Sequence, residues 1–433
     1  MELKVGYSRV KITPETPISI SGYGDEPIRI SEGVRDDLYA TCIAITQGED
    51  TVLLFALDLL GIGDWLANKM RETICPATGV PANRVYFCAS HTHSGPILWG
   101  DAESAVQYRE LLWVRVKQAA EEAMADRVPA QMLSTTFEIP GMNFIRHYET
   151  EDGSYVGSNF GNWKLRRIRH ATETDPRMVL IKFAREGKTD VVMMNWQAHN
   201  DNCKQLGYLL ISSSYVGQVR ENFEKNNDAL FAFIMGASGN QNPDSKIEGE
   251  EHGLIFDSYG KKLADIATEK LADLKPVTGE GFKAVHYTFV ADANHAWDHM
   301  LDKAKEVWDT WRNVGKDESR ALAKEYGFTS PYQASSIINR AEMPATVNIE
   351  LDAFRIGDMG FFVCGNEVFS TIGRYVRANA PFDTTFIITG NSRYLPSSES
   401  FDYRAYEADT SIYAQGTAEK VAEKLVEMLK EIR

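Results

Sequence analysis

Short apolar runs of strand length alternate with segments of helical periodicity along nearly the whole chain. Residues 84–88 form one such run. Residues 102–126 show the helical periodicity, with Val106, Leu112 and Val116 on one side of the predicted helix. Because strands interleaved with helices bury their apolar faces beneath those helices, the pattern predicts an α/β fold. We expect flanking helices layered on one large mixed sheet.

The chain is expected to form one domain, residues 1–433, because no repeat, low-complexity tract or flexible linker interrupts the pattern. Within it, residues 296–340 are rich in Trp, Lys and Glu and keep a helical spacing. We interpret this segment as a helical insert against the main sheet. It serves either as packing or as one wall of an active site.

The formal net charge of −15 argues against nucleic acid or an anionic membrane surface as a partner. No run approaches the roughly 18 apolar residues of a transmembrane helix. The N-terminal residues 1–7 lack the basic and apolar regions of a signal peptide, and the five cysteines form no paired motif. We therefore expect a cytoplasmic protein that acts on a small molecule, with an oligomeric state that composition leaves unknown.

The most distinctive motif is the histidine pair in residues 89–96, Ala-Ser-His-Thr-His-Ser-Gly-Pro, directly after the predicted strand at 84–88. In an extended segment His91 and His93 project to the same side, since side chains alternate with a period of two. Such a pair suits one metal ion, or one metal ligand beside a group that transfers protons. Two hydrogen-bonded loop histidines are the alternative for this motif taken alone.

Three further residues with potential ligand atoms follow apolar runs. They are His199, Glu367 and Tyr394, of which Glu367 is expected in the first turn of a helix that extends to about residue 378. Two histidines and a carboxylate, with an open position for water, are the ligands of a catalytic zinc site. Such a metal acidifies its bound water and polarises a carbonyl group. Spacing along the chain does not indicate whether these residues converge.

Four sequence blocks extend this interpretation: residues 5–14 (VGYSRVKITP), 33–40 (GVRDDLYA), 57–60 (LDLL) and 89–96 (ASHTHSGP). They resemble the neutral/alkaline non-lysosomal ceramidase family, specifically its zinc-bearing N-terminal catalytic domain, and the last block is the most specific match. The resemblance runs in register over nearly all 433 residues. It implies hydrolysis of the carbon–nitrogen bond of a linear amide, with ceramide or another N-acyl compound as substrate.

The resemblance also implies a role for each candidate residue. With Zn²⁺ as the cofactor, four residues correspond to the family's zinc ligands: His91, His199, Glu367 and Tyr394. Three correspond to its catalytic residues: His93 as general acid/base, and Tyr406 and Arg146 as groups that stabilise the oxyanion. Two, from residues 236–243, correspond to substrate-binding positions: Ser238 and Asn240.

The chain departs from the family in two blocks and in its length. Residues 212–217 (SSSYVG) and 236–243 (GASGNQNP) differ from the family pattern, and we expect no C-terminal immunoglobulin-like domain. Two alternatives therefore stay open. One is a metal-free or non-catalytic homologue that binds a small polar, sugar-like ligand. The other is a zinc hydrolase that acts on another bond type, such as an ester or a phosphate.

Overall fold

A nine-stranded mixed sheet forms the centre of the protein in a computed structural model that describes residues 2–23, 29–158, 165–201 and 207–433. Most neighbouring strands are antiparallel, whereas two neighbouring pairs are parallel. In their order across the sheet the strands are β14 (Ala229–Met235), β12 (Asp190–Trp196), β11 (Arg177–Arg185), β6 (Val128–Glu138), β1 (Leu3–Lys11), β3 (Tyr39–Gln47), β4 (Asp50–Leu57) and β5 (Val85–Ala89), with β16 (Lys275–Pro276) beside β6.

A second sheet has four strands, the last two of which are parallel. They are β17 (Phe282–Asp292), β18 (Thr346–Ile356), β19 (Met359–Cys364) and β21 (Thr385–Thr389). The remaining strands pair in short ladders: β2 (Gly33–Val34) with β13 (Leu210–Ile211), β7 (Phe144–Ile145) with β15 (Gln241–Asn242), β20 (Glu367–Val368) with β22 (Tyr394–Leu395), and β8 (His147–Thr150) with β9 (Tyr155–Gly157) and β10 (Arg167–His170).

The helices lie between and outside these sheets. Those in the described residues are α1 (Asp64–Thr78), α2 (Glu103–Ala125), α3 (Tyr215–Asn226), α4 (Phe256–Lys270), α5 (Leu301–Asn313), α6 (Lys316–Glu325), α7 (Pro331–Ala341), α8 (Ser370–Asn379), α9 (Ser398–Asp402), α10 (Tyr406–Thr410) and α11 (Thr417–Ile432), with short 3₁₀ turns at Ala82–Arg84, Leu271–Asp273 and Asp298–Met300. Among them none combines the length and the apolar character needed to cross a bilayer.

Alternate side chains of β5 show how the layers stack. Tyr86 stacks on Phe354 of β18 with ring centroids 4.9 Å apart, so one face of the large sheet packs on the four-stranded sheet. Phe87 points the other way, into the core beneath α1 and α2. The outer face of the four-stranded sheet is covered by α8 and α11. The result is the predicted layered α/β architecture, with two sheets between outer helices.

The predicted helical insert is present as α5, α6 and α7, which enclose a small core of their own. Arg340 anchors it, because this buried guanidinium donates to the carbonyl oxygens of Asp409 and Ser411 at 2.8 and 2.7 Å. The insert is thereby fixed to the segment around α10, which carries Tyr406. It cannot move far without breaking hydrogen bonds inside the protein.

Four local expectations were wrong. Asp64 as a capping residue and Pro76 as a helix breaker predict a helix over residues 64–75; α1 instead continues to Thr78, since a proline near the end of a helix costs only one hydrogen bond. Val106 is 39% exposed because the buried stripe of α2 is set one residue away, at Ala105. The sequence pattern predicts a helix over residues 252–274, whereas the helix in the structure is shorter and begins at Phe256. Glu367 lies in strand β20, and α8 begins only at Ser370.

Candidate metal centre and cavity

Three parallel strand pairs end in the same region of the molecule: β4–β5, β12–β14 and β19–β21. Side chains tie the pairs together, since the Thr389 hydroxyl and the Cys88 sulfur both bond to the backbone of Met235, at 3.0 and 3.1 Å. Loops that follow the carboxyl ends of neighbouring strands meet at one edge. The loops that carry His91 and His199 are brought together in this way, although 108 residues separate them.

Both of these histidines have a ring nitrogen fixed by a backbone carbonyl. The Nδ1 of His91 lies 2.6 Å from the oxygen of Leu60, and the Nδ1 of His199 lies 2.9 Å from the oxygen of Ser238. Because a carbonyl oxygen only accepts, each Nδ1 must carry the hydrogen. The Nε2 of each neutral ring then carries a lone pair and no hydrogen, which is the arrangement of a metal-binding histidine.

Those Nε2 atoms point at one another. The Nε2 of His91 is 3.0 Å from that of His199 and 3.2 Å from that of His93. The nearest carboxylate oxygen, Oε2 of Glu367, lies 3.4 Å from His91 and 3.6 Å from His199. The backbone of His91 has a φ of 58°, a left-handed conformation that costs free energy for a non-glycine residue.

The contact between the Nε2 atoms of His91 and His199 lacks a hydrogen. Burial lowers the pKa of His91 to about 4 and that of His199 well below its usual value, so neither ring is protonated at neutral pH. With both Nδ1 atoms protonated, no hydrogen is left to place between the facing Nε2 atoms, and their lone pairs repel. A tetrahedral ion with bonds of about 2.0–2.1 Å has ligand separations of about 3.3–3.4 Å, close to the observed range. The group of His91, His93 and His199 can therefore hold a metal ion.

Glu367 is placed by its backbone rather than by a helix. Strand β20 pairs in parallel with β22, and this register sets Glu367 directly opposite Tyr394. Its Oε2 is buried and has no hydrogen-bond partner among the described residues. Burial raises the pKa of this carboxyl to about 8, and the negative charge of Glu407 adds to the rise. The Arg146 guanidinium and a hydrogen bond from Tyr394 act in the opposite direction. A buried acceptor aimed at the histidines fits a cation there.

A buried network that the sequence did not reveal lies behind this cluster. The Nε of Arg146 donates to Oε1 of Glu407 at 2.6 Å, and its Nη2 donates to the hydroxyl of Tyr394 at 3.0 Å. The other oxygen of Glu407 lies 2.7 Å from Nε2 of His147, whose Nδ1 is 3.2 Å from the Tyr403 hydroxyl. The adjacent pairs 146–147 and 406–407 are the only hint in the sequence, and some 260 residues separate them.

The cluster lies at the base of a cavity of about 900 Å³. Predicted site residues that line it are His91, His93, Arg146, Glu367, Tyr394 and Tyr406. The helical insert supplies Trp311, Lys316, Arg320 and Tyr332 to the same cavity. An aromatic series connects the two parts, with ring centroids 5.4 Å apart for Trp311 and Tyr332, 6.3 Å for Tyr332 and Tyr406, and 6.1 Å for Tyr406 and Tyr394. The insert is one wall of the cavity.

Ser238 and Asn240, predicted to bind substrate, are fully buried and are not among the residues that line this cavity. The carbonyl of Ser238 holds His199, as described above. The backbone oxygen of Asn240 accepts from the N–H of Arg146 at 3.0 Å, and its side-chain oxygen accepts from the N–H of Ser370 at 2.8 Å. Their contacts in the structure are to site residues and to the start of α8.

Fold and site together define a mixed α/β protein with a buried histidine group able to bind a metal ion. Its fold is that of neutral ceramidase. The crystal structure of neutral ceramidase from Pseudomonas aeruginosa matches with a TM-score of 0.70 and 15% identity, over 99% of this chain and 74% of that one. A structure of ceramidase complexed with C2 matches with the same TM-score and identity, over 99% of this chain and 75% of that one.

Comparison of sequences adds nothing to this likeness. No family model matches the chain, and no curated protein does so. At 15% identity the structural match establishes the fold. The resemblance predicted from the sequence blocks is therefore confirmed at the level of the fold, and the activity requires an argument from the site itself.

Proposed function

We propose that this protein is a zinc-dependent hydrolase of the carbon–nitrogen bond of a linear amide. The observation that carries the proposal is the pair of facing Nε2 atoms of His91 and His199, which carry no hydrogen, beside the unpartnered Oε2 of Glu367 at the base of an open cavity. Neutral imidazoles and one carboxylate are the donor set that zinc takes in catalytic sites. A metal-free homologue would leave these lone pairs opposed, which argues against that alternative.

His91, His199 and Glu367 would hold the ion, with Tyr394 beside Glu367 as a fourth candidate ligand. Zinc, when bound, would act as a Lewis acid that lowers the pKa of water and polarises a carbonyl group. Among the protein's own groups, His93 would take a proton from the attacking water and return it to the leaving amine. The Nη2 of Arg146 and the hydroxyl of Tyr406 would donate hydrogen bonds to the oxyanion that develops on the substrate.

The substrate is proposed to be an N-acyl compound, with a lipid amide such as ceramide as the starting point, because two ceramidase structures share the fold. Ser238 and Asn240 would act from behind the site, by holding His199 and Arg146 in place.

Elemental analysis of metal-free and zinc-reloaded protein, with an amide-hydrolysis screen on both samples, tests the proposal. We expect about one zinc ion per chain and amine release in the loaded sample only. The screen should include ester and phosphate analogues of each amide. No bound zinc after reloading would refute the proposal, and hydrolysis of esters or phosphates alone would replace the amide with another bond type.

Replacement of His93 by alanine is expected to lower kcat by about 100-fold or more while about one zinc ion per chain is retained, because a general acid/base contributes roughly 10²–10⁴-fold. Zinc content and single-substrate kinetics measure both quantities. Added imidazole should restore part of the rate. Parallel loss of zinc and activity would instead make His93 a ligand, which its 3.2 Å distance from the Nε2 of His91 also permits.

Zinc binding at pH 7 is expected to release about one proton per ion. The pKa of Glu367 is raised to about 8 in the metal-free protein, so its carboxyl is largely protonated at pH 7 and must ionise to bind the ion. The histidines are already neutral and contribute none. Calorimetric titration in buffers of different ionisation enthalpy measures the release, which should vanish above about pH 9 and in a Glu367→Gln variant. Equal release by that variant would contradict the assignment.

A further inference from the structure

The mouth of the cavity is rich in cations. Among the described residues, the charged side chains that line it are four basic ones (Arg146, Lys316, Arg320 and Arg393) and two acidic ones (Asp201 and Glu367). Arg146 is neutralised at the base of the cavity by its ion pair with Glu407. The other three basic side chains are exposed and stand around the opening. This local excess contrasts with the net charge of −15 for the whole chain.

Within the described residues these three charges are only partly compensated, with Asp64 as a carboxylate that interacts with Arg393. In the described part of the chain neither Lys316 nor Arg393 forms an ion pair with a carboxylate. Arg320 pairs only with Asp317, at 3.2 Å on the open surface, where such pairs are weak. Exposed and only weakly paired cations at the mouth of an otherwise acidic molecule attract anions toward that opening.

The insert presents two of these cations together with an aromatic surface. The Nζ of Lys316 lies 5.2 Å from the ring centroid of Trp311, and the guanidinium carbon of Arg320 lies 5.9 Å from it. Trp65 and Trp99 line the same cavity and are 56% and 50% exposed. Apolar rings between the buried histidines and the exposed cations suit a substrate with an uncharged middle and a charged end.

We propose that the substrate of this site is an anionic N-acyl compound, whose carboxylate, sulfate or phosphate lies several bonds from the scissile amide and binds Lys316, Arg320 and Arg393. This inference rests on the proposed function and names its substrate class. The amide would lie at the histidine cluster, and the anion would remain at the mouth. The charged group would then contribute to affinity rather than to the chemical step.

A pair of hydroxamates tests the charge preference by binding alone. Suberic acid monohydroxamate ends in a carboxylate, and suberic acid monohydroxamate amide is its uncharged counterpart; both carry the same metal-binding group. Calorimetry on the zinc-loaded protein at low salt should show about tenfold tighter binding of the carboxylate probe, as expected for two or three partly exposed ion pairs. The preference should shrink as salt is added.

The double variant Lys316→Gln/Arg320→Gln should lose most of this preference and bind the amide probe as before. Lys305→Gln/Arg312→Gln is the matched control, since it removes the same charge from exposed positions of α5 that do not line the cavity; it should keep the preference. Equal binding of both probes by the unaltered protein would overturn this inference and leave the proposed function intact. Failure of both probes to bind the zinc-loaded protein would refute the proposed function, and this inference with it.

Discussion

The His91→Ala variant is expected to lose its bound zinc and to hydrolyse amides about 1,000-fold more slowly or worse. His91 is the centre of the cluster, because its Nε2 lies within 3.4 Å of a nitrogen of each of the other two histidines and of the Glu367 carboxylate. Without it, the three shortest distances in the group all disappear, and the 3.6 Å separation of His199 and Glu367 remains. A catalytic metal supplies several kcal/mol of transition-state stabilisation, which corresponds to this loss of rate.

Zinc content after dialysis and kcat/KM for an amide substrate are the two measurements. His286→Ala is the matched control, since His286 is a half-exposed surface histidine paired with Asp352 and outside the cavity. It should retain both zinc and activity. A His91→Ala protein with full zinc content and full activity would show that the histidine cluster is not the catalytic centre.

The Glu407→Gln variant is expected to be less stable by about 3–5 kcal/mol and to lose activity, because it leaves Arg146 as an uncompensated buried charge. Glu407 is 1% exposed and bonds to both Arg146 and His147. The free energy of unfolding in urea measures the loss of stability. Activity should fall as well, since an unpaired Arg146 is no longer held against the Tyr394 hydroxyl.

A second substitution separates stability from function. In the double variant Arg146→Met/Glu407→Gln the buried cation is gone, so much of the stability should return while activity stays low. Recovery of neither would mean that Glu407 matters through His147 instead. Recovery of both would remove Arg146 from the mechanism.

The Glu407 prediction also carries a pH dependence. Burial acts to raise the pKa of Glu407, but Arg146 and His147 outweigh it and lower the pKa to about 2. A lowered folded-state pKa contributes stability above the unfolded value of about 4.3, and that contribution is lost as pH falls toward 2. The stability difference between the unaltered protein and Glu407→Gln should therefore be full at pH 7 and shrink between about pH 4 and pH 2.

The sequence allowed much of the local structure to be predicted, because local structure follows from periodicity. Apolar runs such as residues 84–88 bury their side chains by forming strands in a sheet that is covered on its faces. The layered fold follows from the alternation of these runs with helices. Where local signals compete, prediction failed. Glu367 resembles a residue of a helical first turn, yet its backbone pairs with that of Tyr394, and α8 begins three residues later.

The residue types of the candidate metal site could also be predicted from the sequence, since the His-x-His motif, His199 and Glu367 all follow apolar runs. Their meeting was decided only by tertiary structure, through three parallel strand pairs whose carboxyl ends share one edge. The same holds for Glu407, which neutralises Arg146 from 261 positions away. Residue type sets which atoms can bind a metal or carry a charge; only the packing of distant strands sets which of them lie within 3–4 Å, where lone pairs and charges interact.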